Sequence, residues 1–453
     1  MSPKGDRMSA RKPTGKINYA NNGTPNLTKQ GGVVPVIKFL DKIKFHNIFN
    51  SIVHHERPPK SEYQLSDVVF LVLIGQIVGG TNMAQCLVTW TDVVLRRTAG
   101  WIRIPDPTTV GRIFKELKER HINEMESLVH KMRQQIWEYA FNTGVSHVAR
   151  LCVQWIDVDS TVKTVYGHQE GAAKGYNPHK KGALSYHPLL AFLPQTKEIL
   201  QGWFRAGDAY TSNGIVEFMK QLLANMPQDN RFIIRGDSGF FVGALLDFLD
   251  ANGHGYLIKV KLKGLKELLL KQEWQPIPGR PGWEQCSFQY KLLSWIVSRS
   301  FVAVRKLIKE KPNTSQQTQL FDPEPELEYE YFCYVTTEIM GPWLTHKTYG
   351  KRATSETWIE EAKGQIGLSH ILTSEFLANA ALFQTAILAY NMLCWMSMLS
   401  GNDQLRRWEP KTIRIFLIQV AGKLLTSGRQ LRLLFSPNHL YPKVWNVWLA
   451  LGS

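Results

Sequence analysis

The spacing of hydrophobic positions changes character along the chain. From Ser61 to Thr143 it is helical: Leu65, Val68, Val69, Val72, Leu73 and Ile77 recur at three- and four-residue steps. Gly79-Gly80 ends that helix. Further helices are predicted over Met83–Arg97, Thr108–Glu119 and Ile122–Phe141. The Thr108 helix opens on Asp106-Pro107-Thr108, a side-chain cap followed by a fixed φ. From Ala149 the pattern is strand-like. Ala149–Val158, Thr161–Tyr166 and Tyr186–Leu193 read as strands. A helix over Ser212–Asn225, a strand over Arg231–Arg235, a helix over Val242–Asn252 and a strand over Tyr256–Val260 follow. Three strands and then helix–strand–helix–strand predict an α/β fold, a mixed sheet flanked by helices.

Residues Gln272 to Thr337 are rich in β-branched and aromatic side chains and read as a β-rich insertion. The polar stretch Glu310–Glu330 within it reads as a loop. Helices resume at Ser355 and dominate to the end. Leu377–Ser400 is free of charge over 24 residues, long enough to cross a membrane. It also carries Asn379, Gln384, Thr385, Asn391, Ser397 and Ser400, and nothing else in the chain resembles a span, so we read it as a core helix. The expected organisation is a disordered basic arm (1–31), a helical N-terminal domain for DNA-end binding or dimerisation (32–148), a core in two parts (149–271 and 346–400) around the insertion (272–345), and a basic helical region (401–453).

Composition narrows the class. The chain has 453 residues, 44% of them apolar, enough for a large core. Its five cysteines are scattered with no C-x-x-C pair, which argues against a disulfide framework or a structural zinc site and for a reducing, cytosolic setting. The net charge is +16, which favours a polyanionic partner. The first 25 residues are basic and polar with no apolar run, so they are not a secretory leader. The short N-terminal helices fit a helix-turn-helix reader and a packing module equally well. The series Arg406, Arg407, Lys411, Arg414, Lys423, Arg429 and Arg432 fits a DNA surface or an ordinary solvated face.

Three places carry candidate chemistry. In WIDVDST, Asp157 and Asp159 sit two apart at the end of an apolar strand, on one face. Buried carboxylates need a partner, and a divalent ion is one; a strand-ending turn is the plain alternative. In RFIIRGDSGF another apolar strand ends at Asp237 between Gly236 and Gly239, which fits a ligand or a helix cap. In YGKRATSETWIEEAK, Arg352 and Glu356 are four apart and Glu356 and Lys363 seven apart. They lie along one helical face, with Tyr349 one turn earlier if the helix reaches it. Spacing alone fits a surface helix with ion pairs just as well.

Tyr349, Arg352, Glu356 and Lys363 match Tyr-x2-Arg-x3-Glu-x6-Lys at every spacing. The chain therefore resembles the DDE transposases of bacterial insertion sequences that carry this signature. WIDVDST, the following VYGHQEGAAKGYNPHKKGALSYHPLLAF and RGDSGF resemble one branch, the thirteen-eighty family. The segment GKRA at 350–353 departs from that branch and leaves Arg352 and Glu356 in place. The resemblance implies an RNase H-like core interrupted by a β-rich insertion. It implies Asp159, Asp237 and Glu356 as catalytic metal ligands, Asp159 rather than Asp157 being the ligand. It implies Tyr349, Arg352 and Lys363 as contacts to DNA-end phosphates. It further implies two Mg²⁺ ions, replaceable by Mn²⁺, and DNA partners in the form of terminal inverted repeats and target. A homodimer in the DNA complex, no membrane, and a bacterial cytoplasmic, nucleoid-associated location complete the expectation.

Overall fold

In the computed structural model, the described residues are 25–452 apart from 59, 176, 178, 179, 312–325, 369–372 and 429. Most of the basic arm, residues 1–24, lies outside them. The described end of the arm is not free: Leu27–Thr28 forms strand β1. Helices follow at Val34–Lys42 (α1), Phe45–Ile52 (α2), Leu65–Val78 (α3), Met83–Val88 (α4), Val93–Ala99 (α5), Pro107–Lys115 (α6) and Glu119–Asn142 (α7). Gly79, at φ +115°, stops α3 in the left-handed region as its sequence suggests. The helix expected over Met83–Arg97 is instead two. The carboxylate of Asp92 accepts the N–H groups of Val94 and Leu95 and starts α5 afresh.

The next strands are Val153–Ser160 (β2), Lys163–Thr164 (β3), Ala173–Lys174 (β4), Leu184–Tyr186 (β5), Leu189–Phe192 (β6) and Ile199–Trp203 (β7). The strand predicted over Tyr186–Leu193 divides at His187-Pro188, where proline has no N–H for a ladder. Helix α8 (Ile215–Ala224), strand β8 (Arg231–Gly236), helix α9 (Gly243–Ala251), strand β9 (Gly255–Lys259) and helix α10 (Leu265–Leu270) complete the first half of the core. The insertion contributes Gln275–Pro276 (β10), Trp283–Tyr290 (β11), Arg299–Lys311 (β12) and Glu326–Thr336 (β13). Strands β12 and β13 thus enter the predicted Glu310–Glu330 loop from both ends, and residues 312–325 lie outside the described residues.

Among the described residues, nine strands form one sheet in the order β10-β11-β12-β13-β9-β8-β2-β6-β7. Strands β2, β8 and β9 run parallel, while β6 and β7 are antiparallel to their neighbours. The insertion is therefore not a separate layer, because β13 pairs antiparallel with β9 and extends the same sheet.

Helix α11 (Pro342–Gly350) begins before the expected Ser355, and α12 (Ala353–Gln365) follows it. Helix α13 (Phe376–Leu399) is the charge-free segment, and 89% of its most apolar window is buried. Two of its polar side chains reach the β7 edge of the sheet. Asn391 accepts from the N–H and donates to the carbonyl of Ile199, both at 2.8 Å, and Gln384 donates to the carbonyl of Gly202 at 2.7 Å. An uncovered edge strand leaves a row of unpaired amides, and here side chains supply the missing partners.

Beyond α13 come α14 (Asp403–Arg407) and α15 (Pro410–Ile413), and then two strands where helix was expected, Gly422–Ser427 (β14) and Gln430–Phe435 (β15). They form a three-stranded sheet with β1, which ties the two ends of the described chain together. Helix α16 (Pro442–Leu451) closes the described chain. Arg414 does not belong to a solvated face: its guanidinium donates to the carbonyls of Ile77 and Gln365.

Candidate active site

Strands β2 and β8 are parallel neighbours, with Asp157 opposite Arg235. Continuing that register by two residues brings Asp159 beside Asp237, both at the carboxyl ends of their strands. In open α/β sheets this is where ligands bind. Helix α12 brings Glu356 to the same place from its first turn, where the helix dipole favours a carboxylate. Asp159, Asp237 and Glu356 all line one cleft of about 870 Å³, together with Arg352 and Lys363.

The two aspartates of β2 have different surroundings. Asp157 is buried and paired with Arg235, one guanidinium nitrogen lying 2.7 Å from its carboxylate. The same guanidinium donates to the carbonyl of Thr348, so the pair braces β2 and β8 against the last turn of α11. Asp159 instead points into the cleft, where Arg352 lies 2.9 Å from its Oδ1. Burial pushes the Asp159 carboxyl up to about 6, with Arg352 opposing and the charge of Asp237 adding to the rise.

Asp237 serves two roles at once. Its Oδ1 accepts the N–H of Gly239 at 2.8 Å and caps a short 3₁₀ turn, while the residue lines the cleft. The helix-cap reading of the sequence and its ligand reading are thus compatible.

Arg352 is 7% exposed and ends in two carboxylates, with Glu356 Oε1 also at 2.9 Å. Burial opposes its charge, but Asp159 first, then Tyr349, Asp237 and Glu356, raise its pKa on balance. Tyr349 lies on α11 and not on the helix of Glu356, because the chain breaks at Lys351-Arg352. Its ring packs on Tyr334 at 4.6 Å, and burial pushes its hydroxyl up to about 12, the cleft carboxylates adding to the effect. Lys363 lines the cleft from the last turn of α12 and pairs with Glu360 at 2.9 Å.

The donor chemistry fits a hard divalent ion, since the cleft gathers carboxylate oxygens and no thiol. Among the described residues, however, no three such groups already stand close enough to hold one ion. The cation between Asp159 and Glu356 is Arg352. The Glu356 side chain is 61% exposed and reaches the cleft from the solvent side of its ion pair with Arg352.

Sequence reading missed three participants. Ser160 and Thr211 join their hydroxyls at 2.8 Å on the cleft wall, and His187 lines it with Nδ1 against the carbonyl of Ala209. No sequence signal marks these. Arg235 did carry one: an apolar strand interrupted by Arg beside another interrupted by Asp.

The family model described as "Transposase DDE domain group 1" matches residues 11–450. The chain belongs to that family. It is a DNA transposase, and its family's strand cleavage generally depends on divalent metal ions. No curated protein matches the transposase. Among solved structures, a piggyBac transposase in a synaptic complex with hairpin DNA shares 12% identity over 84% of this chain and 81% of that chain, with a TM-score of 0.36. A likeness at that score carries no argument about fold or function.

Proposed function

We propose that the protein cuts DNA at the terminal inverted repeats of an insertion sequence and joins the freed 3′-OH to target DNA, with Asp159, Asp237 and Glu356 as the metal-binding carboxylates. The observation that carries this is their arrival in one cleft from the ends of two adjacent parallel strands and the first turn of a helix. The unit of β2, β6, β7, β8 and β9, with acids at its two central strands, supports an RNase H-like core. The Tyr349–Lys363 spacing supports the Tyr-Arg-Glu-Lys group of bacterial transposases and its thirteen-eighty branch. The same resemblance carries a homodimer on DNA, acting in the bacterial cytoplasm at the nucleoid.

Bound Mg²⁺, expected as two ions, would supply charge neutralisation at the attacking and leaving oxygens. Asp159, Asp237 and Glu356 would hold the metal, and Mn²⁺ suits the same oxygens. Arg352 and Lys363 bind and orient phosphates flanking the scissile bond, Arg by two parallel N–H donors and Lys as a point charge. The Asp157–Arg235 pair fixes the end of α11 and hence the approach of Tyr349. The hydroxyls of Ser160 and Thr211 are placed to donate to a phosphate oxygen in the cleft.

Asp159→Ala, Asp237→Ala and Glu356→Ala each abolish Mg²⁺-dependent cleavage of a duplex carrying the terminal repeat while leaving its binding largely intact. Full cleavage by any of the three rejects that residue's role. Joining of the cut end to a second duplex separates a transposase that completes strand transfer from a nuclease on the same fold.

A further inference from the structure

Residues 163–186 leave the cleft rim and return to it. Thr161 and Val162 line the cleft on the way out, and His187 lines it on the way back. Between them β3, β4 and β5 form a small sheet in the order β3-β5-β4. The segment holds Lys163, Lys174, Lys180 and Lys181 against one acid, Glu170. Glu170 is occupied in holding the fold together. Its carboxylate accepts the N–H of Phe376 at 2.8 Å, and its carbonyl accepts the hydroxyl of Tyr186. Lys174, Lys180 and Lys181 are exposed, and so is Tyr166, at 86%. The Lys180 ammonium sits 4.8 Å from the centre of the Tyr166 ring.

A lysine-rich connection is commonly just a solvated face. Two features separate this one from that case. The first is rigidity. A Cβ on Gly175 would stand 2.0 Å from the carbonyl oxygen of Gly207, and one on Gly207 would stand 1.9 Å from that of Ser185, so backbones are in direct contact there. Tyr186 also bridges to Ala206, and the buried Asn177 amide donates to Thr164 and accepts the N–H of Lys180. The lysines stand on a braced wall.

The second feature is place. The wall rises directly from the strand that carries Asp159, across from α12. Burial first, and then the charge of Lys363 on α12, hold Lys163 below the usual lysine range. Lys163 on the wall and Lys363 on the cleft thus feel each other's charge although Lys363 is paired with Glu360, so the wall faces an anion-favouring side of the cleft.

We propose that the 163–186 wall is a DNA-contact surface on which Lys174, Lys180 and Lys181 take backbone phosphates of a duplex lying in the cleft. This rests on the reading of the cleft as the cleavage site and extends it to a surface outside the Tyr349, Arg352 and Lys363 set. The contacts are to phosphates and so are blind to sequence. The terminal-repeat end and the target offer the same chemistry, and experiment separates them.

The test uses the full chain and two fluorescein-labelled duplexes, one carrying the terminal repeat and one of random sequence. Binding is measured across a salt series for the wild type, Lys174→Ala/Lys180→Ala/Lys181→Ala, and the corresponding triple arginine variant. Each lost phosphate contact reduces the slope of log K against log salt by about 0.9, so the alanine variant loses up to about 2.7. The arginine variant keeps the wild-type slope. A flatter slope on the repeat duplex alone assigns the wall to the transposon end, and a flatter slope on both assigns it to duplex DNA generally. An unchanged slope on both duplexes overturns the proposal, whatever happens to affinity. Metal-dependent cleavage by the wild type is scored in parallel. Its absence would count against the cleft reading, independently of the slope.

Discussion

The guanidinium of Arg352 is bonded to Asp159 at 2.9 Å, across the gap between the end of β2 and the start of α12. It reaches Glu356 at the same distance. An internal cation thus holds two of the three carboxylates, and on the proposed reading a metal ion would compete with it for them.

This competition has a measurable sign. Arg352→Gln binds Mn²⁺ in the absence of DNA about tenfold more tightly than the wild type, roughly the worth of one charge-assisted hydrogen bond. Titration calorimetry reads it directly. Equal affinities in the two proteins would show that Arg352 does not compete. DNA cleavage by the same variant falls, because the phosphate contact is lost with the arginine.

Asp157 and Asp159, two residues apart, respond differently to mutation. Asp157→Ala leaves the Arg235 charge buried and unpaired, and costs about 3–5 kcal/mol of stability. Asp159→Asn removes a carboxylate whose ionisation burial disfavours and keeps an amide oxygen for Arg352, which retains Glu356, so its melting temperature stays close to the wild type. Thermal denaturation of the two variants checks both. A stable Asp157→Ala protein would remove the bracing role assigned to the Arg235 pair.

Asn391→Leu keeps the side chain's bulk but strips the partners from the N–H and carbonyl of Ile199. Two buried backbone groups left unsatisfied cost about 2–4 kcal/mol. The urea midpoint drops accordingly, and a midpoint within error of the wild type would mean that the edge of β7 is sealed by something else.

Glu126 predicts a pH dependence of stability. Burial pushes its carboxyl up to about 8, against ~4.3 in an unfolded chain. Between those values the folded state keeps a proton that the unfolded chain releases, so this group's contribution to stability falls as pH rises. Glu126→Gln flattens that fall, so its advantage over the wild type grows from about pH 4.3 and is complete by about pH 8, at on the order of 1–2 kcal/mol since the side chain retains some solvent contact. Parallel stability curves from pH 5 to about 9 for the two proteins would count against a buried neutral carboxyl.

Much of the core was legible because its signals are local. The Asp106 cap, the stop at Gly79 and the apolar strands ending in Asp159 and Asp237 need only a few neighbouring residues to be read. What escaped depends on distant partners. Strand β7 carries the polar Gln201, and its backbone is completed by α7 and α13, through Arg133, Gln384 and Asn391. Strands β14 and β15 are half-exposed and amphipathic at best; they pair with each other, and β1, some 400 residues earlier in the chain, adds a third strand beside β14. The continuity of the insertion with the main sheet rests on three residue pairs between β13 and β9. Asp157 and Asp159 share a face in the sequence pattern; only the register with Arg235 assigns one to bracing and the other to the cleft.

The chain order of the cleft also bears on synthesis. Asp159 and Asp237 precede the insertion, whereas Arg352, Glu356 and the helix that seals β7 follow it. A nascent polypeptide halted before α12 carries at most two of the three acids, and its β7 edge is unsealed. If the three acids act together as proposed, the site is complete only once α12 has been made.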